Sequence, residues 1–526
     1  MLEKLKSDFK ENWKFYGLIL LLTFVTMGVA LVNYSADTGD HSLNFPHESI
    51  YGIVYFCLII FTAIYAAIVL KKANNNGVRL ERLYLWIAIP VGIIMCIVNP
   101  LGKIPDEDHH SRKAMAMSIG NIFSEVDEDG RATEMLNAKL HELVTRSVTN
   151  YDDAWRRLTA PETEGEVLLD YNTMALYAPI CHAPQAFGIF LTRIMGFGVS
   201  VQCYAARLFN FSLAIFLLYN AIKFMPYKKN LMMVLALLPI ANNVLPTMSS
   251  DALAISMCMF FIAYILHLKY DDNITNYSLK HYIIMAVSSF VIALCKIVYL
   301  PLCLILLVLP KEKFGTMKKK VLFIFVVVLI SVILNLVWLG YCSRFLVEFN
   351  AGVNSKDQVI FILTHPIRYC TILFKTINFY FNTYISGICG DALGTYNVKA
   401  TELLIYPCIA LLSILFFSKT EDAKIKFDAF TKIIFAGIFI IIAVLVYTSL
   451  YVQWTPVAFP LIIGVQPRYF FPVLIMTAVV FENGFIEIKE KMTRGLLTFL
   501  LFFNINVAVA TIYTYYFGNL ITGYIK

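Results

Sequence analysis

Charge is what this chain has least of. Only 15% of its 526 residues are Asp, Glu, Lys or Arg, where a soluble domain carries about 25%. With 59% hydrophobic residues and a mean hydropathy of +0.69, it does not read as a soluble globular chain. No C-x-x-C pair occurs among the 11 cysteines, which removes the usual signature of a zinc or thiol-redox motif. No G-x-S-x-G, H-E-x-x-H, Walker A loop or glycine-rich nucleotide fingerprint stands at a usable place. There is no fixed-period repeat, no low-complexity tract and no visible inverted-repeat symmetry of the transporter kind. The net charge of +7 does not point to nucleic acid, because the basic residues sit between apolar runs, where they act as topology signals and contacts for anionic lipid.

What fills the chain instead is a series of apolar runs near the length a helix needs to cross a bilayer. Backbone in lipid must satisfy its own hydrogen bonds, so these runs are expected to be helices. Candidate spans are Gly17–Asn33, Tyr51–Leu70, Leu83–Leu101, Cys203–Ala221, Leu231–Leu245, Ala252–Leu268, Tyr282–Cys295, Ile297–Leu309, Val321–Leu339, Glu402–Phe417, Ile433–Leu450, Phe471–Phe481 and Leu496–Phe517. The expected fold class is therefore an all-α polytopic membrane protein with about thirteen crossings. The apolar block Tyr282–Leu309 is divided at Lys296, since one helix that long would overshoot the membrane. The first run follows Lys4, Lys6, Lys10 and Lys14 but lacks a clear small-x-small cleavage site, and reads as an uncleaved span.

The charges give an orientation. With the N-terminus cytoplasmic, the inside gaps hold Lys71, Lys72, Arg79 and Arg82, then Lys223, Lys228 and Lys229, then Lys269 and Lys280. Further on come Lys311 to Lys320, Lys419 to Lys426, and Lys489 to Arg494, in keeping with the positive-inside rule. Tyr369–Ile388 and Ala186–Gly198 then lie in or dip into the outer interface rather than crossing. The outer face receives Gly102–Phe197, Pro246–Asp251, the Lys296 turn, Tyr341–Thr401 and Tyr451–Arg468. Within the first of these, Arg112–Phe123 and Ala132–Val144 have helical spacing, and Pro161–Gly165 is turn-like. The cytoplasmic gaps are too short to build a nucleotide-dependent site. Residues 1–82 form a two-span extension, and 83–526 the main unit, with 102–202 as an acidic outer loop carrying interfacial helices and 341–401 as a second outer loop.

Chemistry concentrates at Pro105-Asp106-Glu107-Asp108-His109-His110. Three readings stand: a solvated loop whose carboxylates cap the following helix; a divalent-metal site using Asp106, Asp108 and His110; and a general base at the membrane surface. Arg468, in Gly464-Val465-Gln466-Pro467-Arg468-Tyr469, enters a span, where a cation usually has an anionic partner; its guanidinium fork suits phosphate, with snorkelling to headgroups as the plain alternative. Lys296 is a second cation at an outer turn. Arg207 is placed to pair with an outer carboxylate. Asp251, after Ser249-Ser250, reads as a helix cap. Tyr171, Tyr177, His182 and Gln185 belong to the return of the first loop onto the membrane.

These motifs resemble a family of bacterial multi-pass membrane proteins of unknown function. The likeness lies in Pro105 to His110, in the return from Tyr177 through Pro184 and Gly188, and in Arg207-Leu208-Phe209-Asn210. Lys296 with Tyr299, and Gly464 to Tyr469, complete it, so it spans the chain from about residue 83 onward. The two spans before that lie outside it. That family in turn resembles the GT-C class of membrane glycosyltransferases, which take sugars from polyprenyl-phosphate donors and carry a catalytic carboxylate in the first outer loop. The resemblance implies Asp106 as base with Glu107 supporting or replacing it, and Arg468, Lys296 and Arg207 as donor-phosphate contacts. It implies supporting roles for His109, His110, Tyr177, Gln466, Tyr469 and Tyr299. No cofactor is expected, with a divalent metal as the alternative.

The expected partners are a polyprenyl-phosphate-sugar donor, an outer-surface glycan, lipid or protein acceptor, and membrane lipids; no nucleic acid is expected. The expected location is the bacterial cytoplasmic membrane, with the active site on the outer face. A non-catalytic carrier or flippase of a lipid-linked sugar or anionic lipid is the competing reading. It would put its polar residues near the bilayer midplane on broken helices, whereas here they gather at one face.

Overall fold

In the computed structural model the described residues are 78–128, 130–145, 165–170, 172–345, 352–394, 397–419, 425–482 and 490–512, with short pieces between 7 and 68 and at 159, 486 and 514–515. Most of the span expected at Tyr51–Leu70, the second half of Gly17–Asn33, the turn at Pro161–Glu164, Tyr171, and Lys4, Lys6, Lys71, Lys72 and Lys489 lie outside them.

From Leu80 onward, the helices of six or more described residues are α1 (Leu80–Val98), α2 (Glu107–Ser118), α3 (Ala138–Thr145), α4 (Ala183–Ile194), α5 (Val199–Phe224), α6 (Lys229–Leu237), α7 (Pro239–Val244), α8 (Asp251–Tyr270) and α9 (Leu279–Cys295). After a 3-10 run at Ile297–Val308 come α10 (Met317–Cys342), α11 (Ser355–Thr364), α12 (Pro366–Ile388), α13 (Glu402–Phe416), α14 (Ala429–Gln453), α15 (Ile475–Val480) and α16 (Glu490–Ile512). Six helices among the described residues are long and apolar enough to cross a membrane, or seven if α11 and α12, bent by 107° at His365, count as one broken span. Shorter apolar helices at Tyr16–Val25, α9, Ile297–Val308 and α13 accompany them.

The packing has a centre and an edge. α8 is 94% buried over its apolar window, while the helix from Met317 is 22% buried. α8 therefore reads as the hub, with α5 along it and α9 and the Ile297–Val308 run beside it. α10 turns Leu322, Phe325, Leu336 and Val337 outward, the surface that lipid would cover.

Several local expectations are corrected. The fold is not purely helical: β1 (Glu125–Val126), β2 (Ala132–Asn137) and β3 (Glu166–Asp170) form an antiparallel sheet in the order β1-β2-β3. The stretch read as a helix over Ala132–Val144 is β2 followed by α3. In β2, Ala132, Glu134 and Leu136 point in and Met135 points out, the two-residue alternation of a half-buried strand. The helix read at Arg112–Phe123 starts earlier, at Glu107, and stops at Ser118. Leu231–Leu245 breaks into α6 and α7 at Leu238, because Pro239 offers no N–H to continue the first helix. Ile297–Leu309 is a 3-10 run containing Pro301, and Phe471–Phe481 is a short 3-10 turn plus α15.

The polar segment after α1 packs on the bundle through a core of its own. Met115, Leu136, Leu140, Leu143 and Ile189 meet Cys203 and Ala206 of α5 there. α4 lies along α5 and α2, with Phe187, Phe190, Ile194 and Met195 facing outward. The result is a polar cap seated on one end of the helices.

Candidate functional site

The cap is tied down by one buried ion pair. α1 ends at Val98, and the chain turns through Gly102, whose φ of +75° and close approach to the Val144 backbone leave no room for a Cβ. Glu107, in the first turn of α2, is fully buried and accepts from Arg207 Nε at 2.8 Å and Nη2 at 2.6 Å. Its carboxylate also accepts from the backbone N–H of Gly102 at 3.0 Å and of Met248 at 2.9 Å. Arg207 donates further to the carbonyls of Cys96, Asn99 and Pro100 at 2.6, 2.7 and 3.0 Å. Charge buried this deeply survives because its hydrogen bonds are made. The structure thus brings Glu107 and Arg207 to each other, beneath the open face, with every lone pair and donor already directed inward.

One residue earlier, Asp106 behaves differently. It adopts a left-handed backbone with φ 63°, a conformation uncommon outside glycine that Asp tolerates better than most residues. Its side chain is 53% exposed, and Oδ2 accepts from Arg468 Nη2 at 2.6 Å. Burial of the surroundings would raise the Asp106 carboxyl, but the Arg468 guanidinium outweighs this and holds it below the usual carboxylate range.

Arg468 sits in a 3-10 turn (Pro467–Tyr469) and is buried. Its Nε lies 3.3 Å from Asp251 Oδ2, and the other Asp251 oxygen pairs with Lys296 Nζ. Asp251 is the first residue of α8, where the helix dipole favours a carboxylate; its side chain caps nothing, so the helix-cap reading is corrected. Lys296 is the extended residue (φ −153°) between α9 and the 3-10 run. The Tyr469 ring lies under both cations, 4.9 Å from Lys296 Nζ and 5.4 Å from the Arg468 guanidinium carbon. Tyr299 fixes that tyrosine by donating to its carbonyl at 2.8 Å. The network therefore runs Asp106, Arg468, Asp251, Lys296: two cations and two carboxylates drawn from four separate segments.

A histidine pair backs it. His110 Nδ1 and His182 Nε2 are 2.8 Å apart, with Tyr177 edge-on to His110 at 4.9 Å. Burial pushes the His110 imidazole down to about 4 and His182 down as well, so both are neutral near pH 7 and one donates to the other. His109 is partly exposed and lies 3.7 Å from Asp108. Among the described residues no group of three or more His, Cys, Asp or Glu side chains converges as a metal site. Gln466 lines a cleft of about 20 Å³ with Pro105, Asn243, Gly394, Pro467 and Arg468, room for one or two waters. Its Oε1 is buried with no hydrogen-bond partner among the described residues.

The residues singled out in the sequence thus divide. Asp106, Arg468, Lys296, Tyr469 and Tyr299 converge, His110 and Tyr177 adjoin them, Gln466 lines the cleft, and Glu107 with Arg207 supports them from below. Asp251 and His182 are the site-lining groups the sequence reading undervalued. An acid opening a long apolar run was the available signal for Asp251.

Arranged so, the site offers an exposed carboxylate beside a buried and a half-buried cation: a proton acceptor next to a place for an anion. Comparison with known proteins found no match among curated proteins or solved structures. A family model described as a predicted membrane protein, DUF2142, matches residues 89–477. With its several apolar helices, this chain is a multi-pass membrane protein belonging to the DUF2142 family.

Proposed function

We propose that this protein is a membrane glycosyltransferase of GT-C type, moving a sugar from a polyprenyl-phosphate donor to a hydroxyl of a glycan, lipid or protein acceptor at the outer face of a bacterial cytoplasmic membrane. In this reading the N-terminus is cytoplasmic and the shorter apolar helices complete a set of about thirteen crossings. The single observation that carries it is Asp106, exposed, standing 2.6 Å from a buried Arg468 that shares Asp251 with Lys296.

Asp106 takes the proton of the acceptor hydroxyl as its oxygen attacks the anomeric carbon. The bond from that carbon to the phosphate oxygen breaks, and the lipid phosphate leaves with the electron pair. Arg468 and Lys296 neutralise it, cations already in place for charge that develops in the transition state. His110 and His182, both neutral, hold the start of α2 without adding charge. Glu107 and Arg207 fix the height of Asp106 above α5.

The test is transfer of radiolabelled sugar from synthetic polyprenyl-phosphate donors by purified protein in detergent, wild type beside Asp106→Asn. Transfer by wild type that falls about 10²-fold or more with Asp106→Asn supports the reading. Donor binding without transfer or hydrolysis of any sugar tested, unchanged by the substitution, would replace it with a carrier of lipid-linked sugar.

A further inference from the structure

The network has as many carboxylates as cations, so an incoming phosphate finds no unneutralised charge among Asp106, Arg468, Asp251 and Lys296. Something must give way. We propose that the two carboxylates have different fates: Asp251 is the fixed counter-ion that holds Lys296 and Arg468 side by side, and Asp106 is exchanged for the ligand's phosphate on Arg468. This rests on the reading that the site takes a phosphate-bearing lipid.

The geometry separates the two acids. Asp251 uses both oxygens, one on each cation, and its side chain is 9% exposed. It opens the most buried of the candidate spans, with its backbone N–H held by Ser249 Oγ at 3.2 Å. Releasing it would take from the half-buried Lys296 its carboxylate and from the buried Arg468 its inner one, which is the costly way to break an ion pair. Asp106 uses one oxygen on Arg468, is 53% exposed and sits on a left-handed residue at the start of α2. Leaving Arg468 puts its carboxylate into water, the inexpensive way. Arg468 meets the two acids through different nitrogens, Nε for Asp251 and Nη2 for Asp106. Its outer edge can therefore change partner while its inner edge does not.

The exchange has a chemical consequence. While paired with Arg468, Asp106 is held below its usual range and is a poor base. Once phosphate occupies Arg468, the carboxylate loses that cation and its affinity for a proton rises. The base is strengthened only with donor in place, which makes donor binding precede acceptor activation. Asp251 is in this account a positioning residue, never touching substrate.

The experiment titrates the full-length protein in detergent with farnesyl phosphate, and separately with inorganic phosphate, by calorimetry. Asp106→Asn removes the competing carboxylate and is expected to bind farnesyl phosphate about three- to tenfold more tightly than wild type. Asp251→Asn is expected to make that affinity fall between about pH 8 and 10, a range over which wild type stays flat. The reason is that Lys296, left facing Arg468 and the hydroxyls of Tyr177, Tyr299 and Tyr469, surrenders its proton more easily without the Asp251 carboxylate; Asp106 and His110 across the network keep their charge states there. Equal or weaker binding by Asp106→Asn beside a wild type that binds overturns the exchange but leaves the phosphate site standing. Tighter, pH-independent binding by Asp251→Asn overturns the division of roles. No binding of farnesyl phosphate by either wild type or Asp106→Asn overturns the phosphate reading itself. Inorganic phosphate binding as well as farnesyl phosphate would assign the site to the anion and not to the lipid. Asp106 is an exposed side chain, so its variant carries the test independently of how well Asp251→Asn folds.

Discussion

Arg468 Nη2 lies 2.6 Å from Asp106 Oδ2, although 362 residues separate the two in the chain. The same guanidinium has its Nε 3.3 Å from Asp251 Oδ2, an ion-pair contact. Only a planar fork can serve two acids from two edges while stacking over a tyrosine ring. Arg468→Lys keeps the charge and loses the fork. It is expected to weaken farnesyl phosphate binding about tenfold, since a compact ammonium reaches one carboxylate and not both. Calorimetry on the two proteins checks this, and undiminished affinity would reduce Arg468 to a simple source of charge.

Glu107 and Arg207 give a different outcome. Their pair is fully buried and joins α1, α2, α5 and the Met248 segment. Arg207→Met leaves a buried carboxylate with two backbone donors and no cation, at a cost of about 3–5 kcal/mol. Thermal unfolding in detergent should show a clear fall in midpoint, and Glu107→Gln one as well, because its single amide oxygen accepts from Gly102 or Met248 but not from both, and Arg207 loses its counter-ion. A variant with normal stability and lost donor binding would return Arg207 to the phosphate site.

The reason some of this was legible in the sequence and some was not is physical. Asp106, Lys296 and Arg468 stand out because charge at the edge of an apolar run needs an explanation whatever the fold. Asp251 carries the same signal, but Ser249-Ser250-Asp251 ahead of an apolar run is also how a capped helix begins, and only tertiary closure brings Lys296 and Arg468 to it. The sheet was hidden because strands as short as Glu125–Val126 and Glu166–Asp170 leave too few positions to separate a period of two from one of 3.6. Pro239 marks the break at Leu238, but the apolar residues on both sides carry the same hydropathy as an unbroken span. The long apolar helices survived because nothing competes with a helix in lipid.

His110 makes stability depend on pH. Its imidazole titrates at about 4 in the folded protein against 6.5 ordinarily, because burial disfavours the charged form. A histidine with a lowered folded value leaves the unfolded chain binding the extra proton first. Stability is therefore full above about pH 6.5 and lost as pH falls toward 4, by on the order of 3 kcal/mol for this group. Asp106, with its carboxyl held low by Arg468, acts in a separate window below its ordinary 3.8. Melting curves at pH 7 and about pH 4.5 should converge for His110→Gln relative to wild type. An equal acid-induced drop in the variant would place the loss elsewhere.

The turn that carries Arg468 owes its position to a glycine on another helix. Gly387, in the last turn of α12, lies flat against the Pro467 ring, and a Cβ there would press into Pro467 Cγ at 2.5 Å. Proline cannot rotate out of the way as a flexible side chain would, so Gly387→Ala must move the turn, and Arg468 and Tyr469 go with it. Displacement of a positioned group by a fraction of an ångström costs less than the roughly 10²-fold expected for a full one. A loss of about tenfold in farnesyl phosphate affinity is therefore expected, with some fall in melting point, since the buried Arg468 and the Tyr299 bond to Tyr469 depend on this turn. Pro467→Ala in the same chain removes the colliding ring and should restore much of the affinity. Recovery in the double variant separates displacement of the turn from general damage to α12, because damage to the helix would persist when the proline is gone.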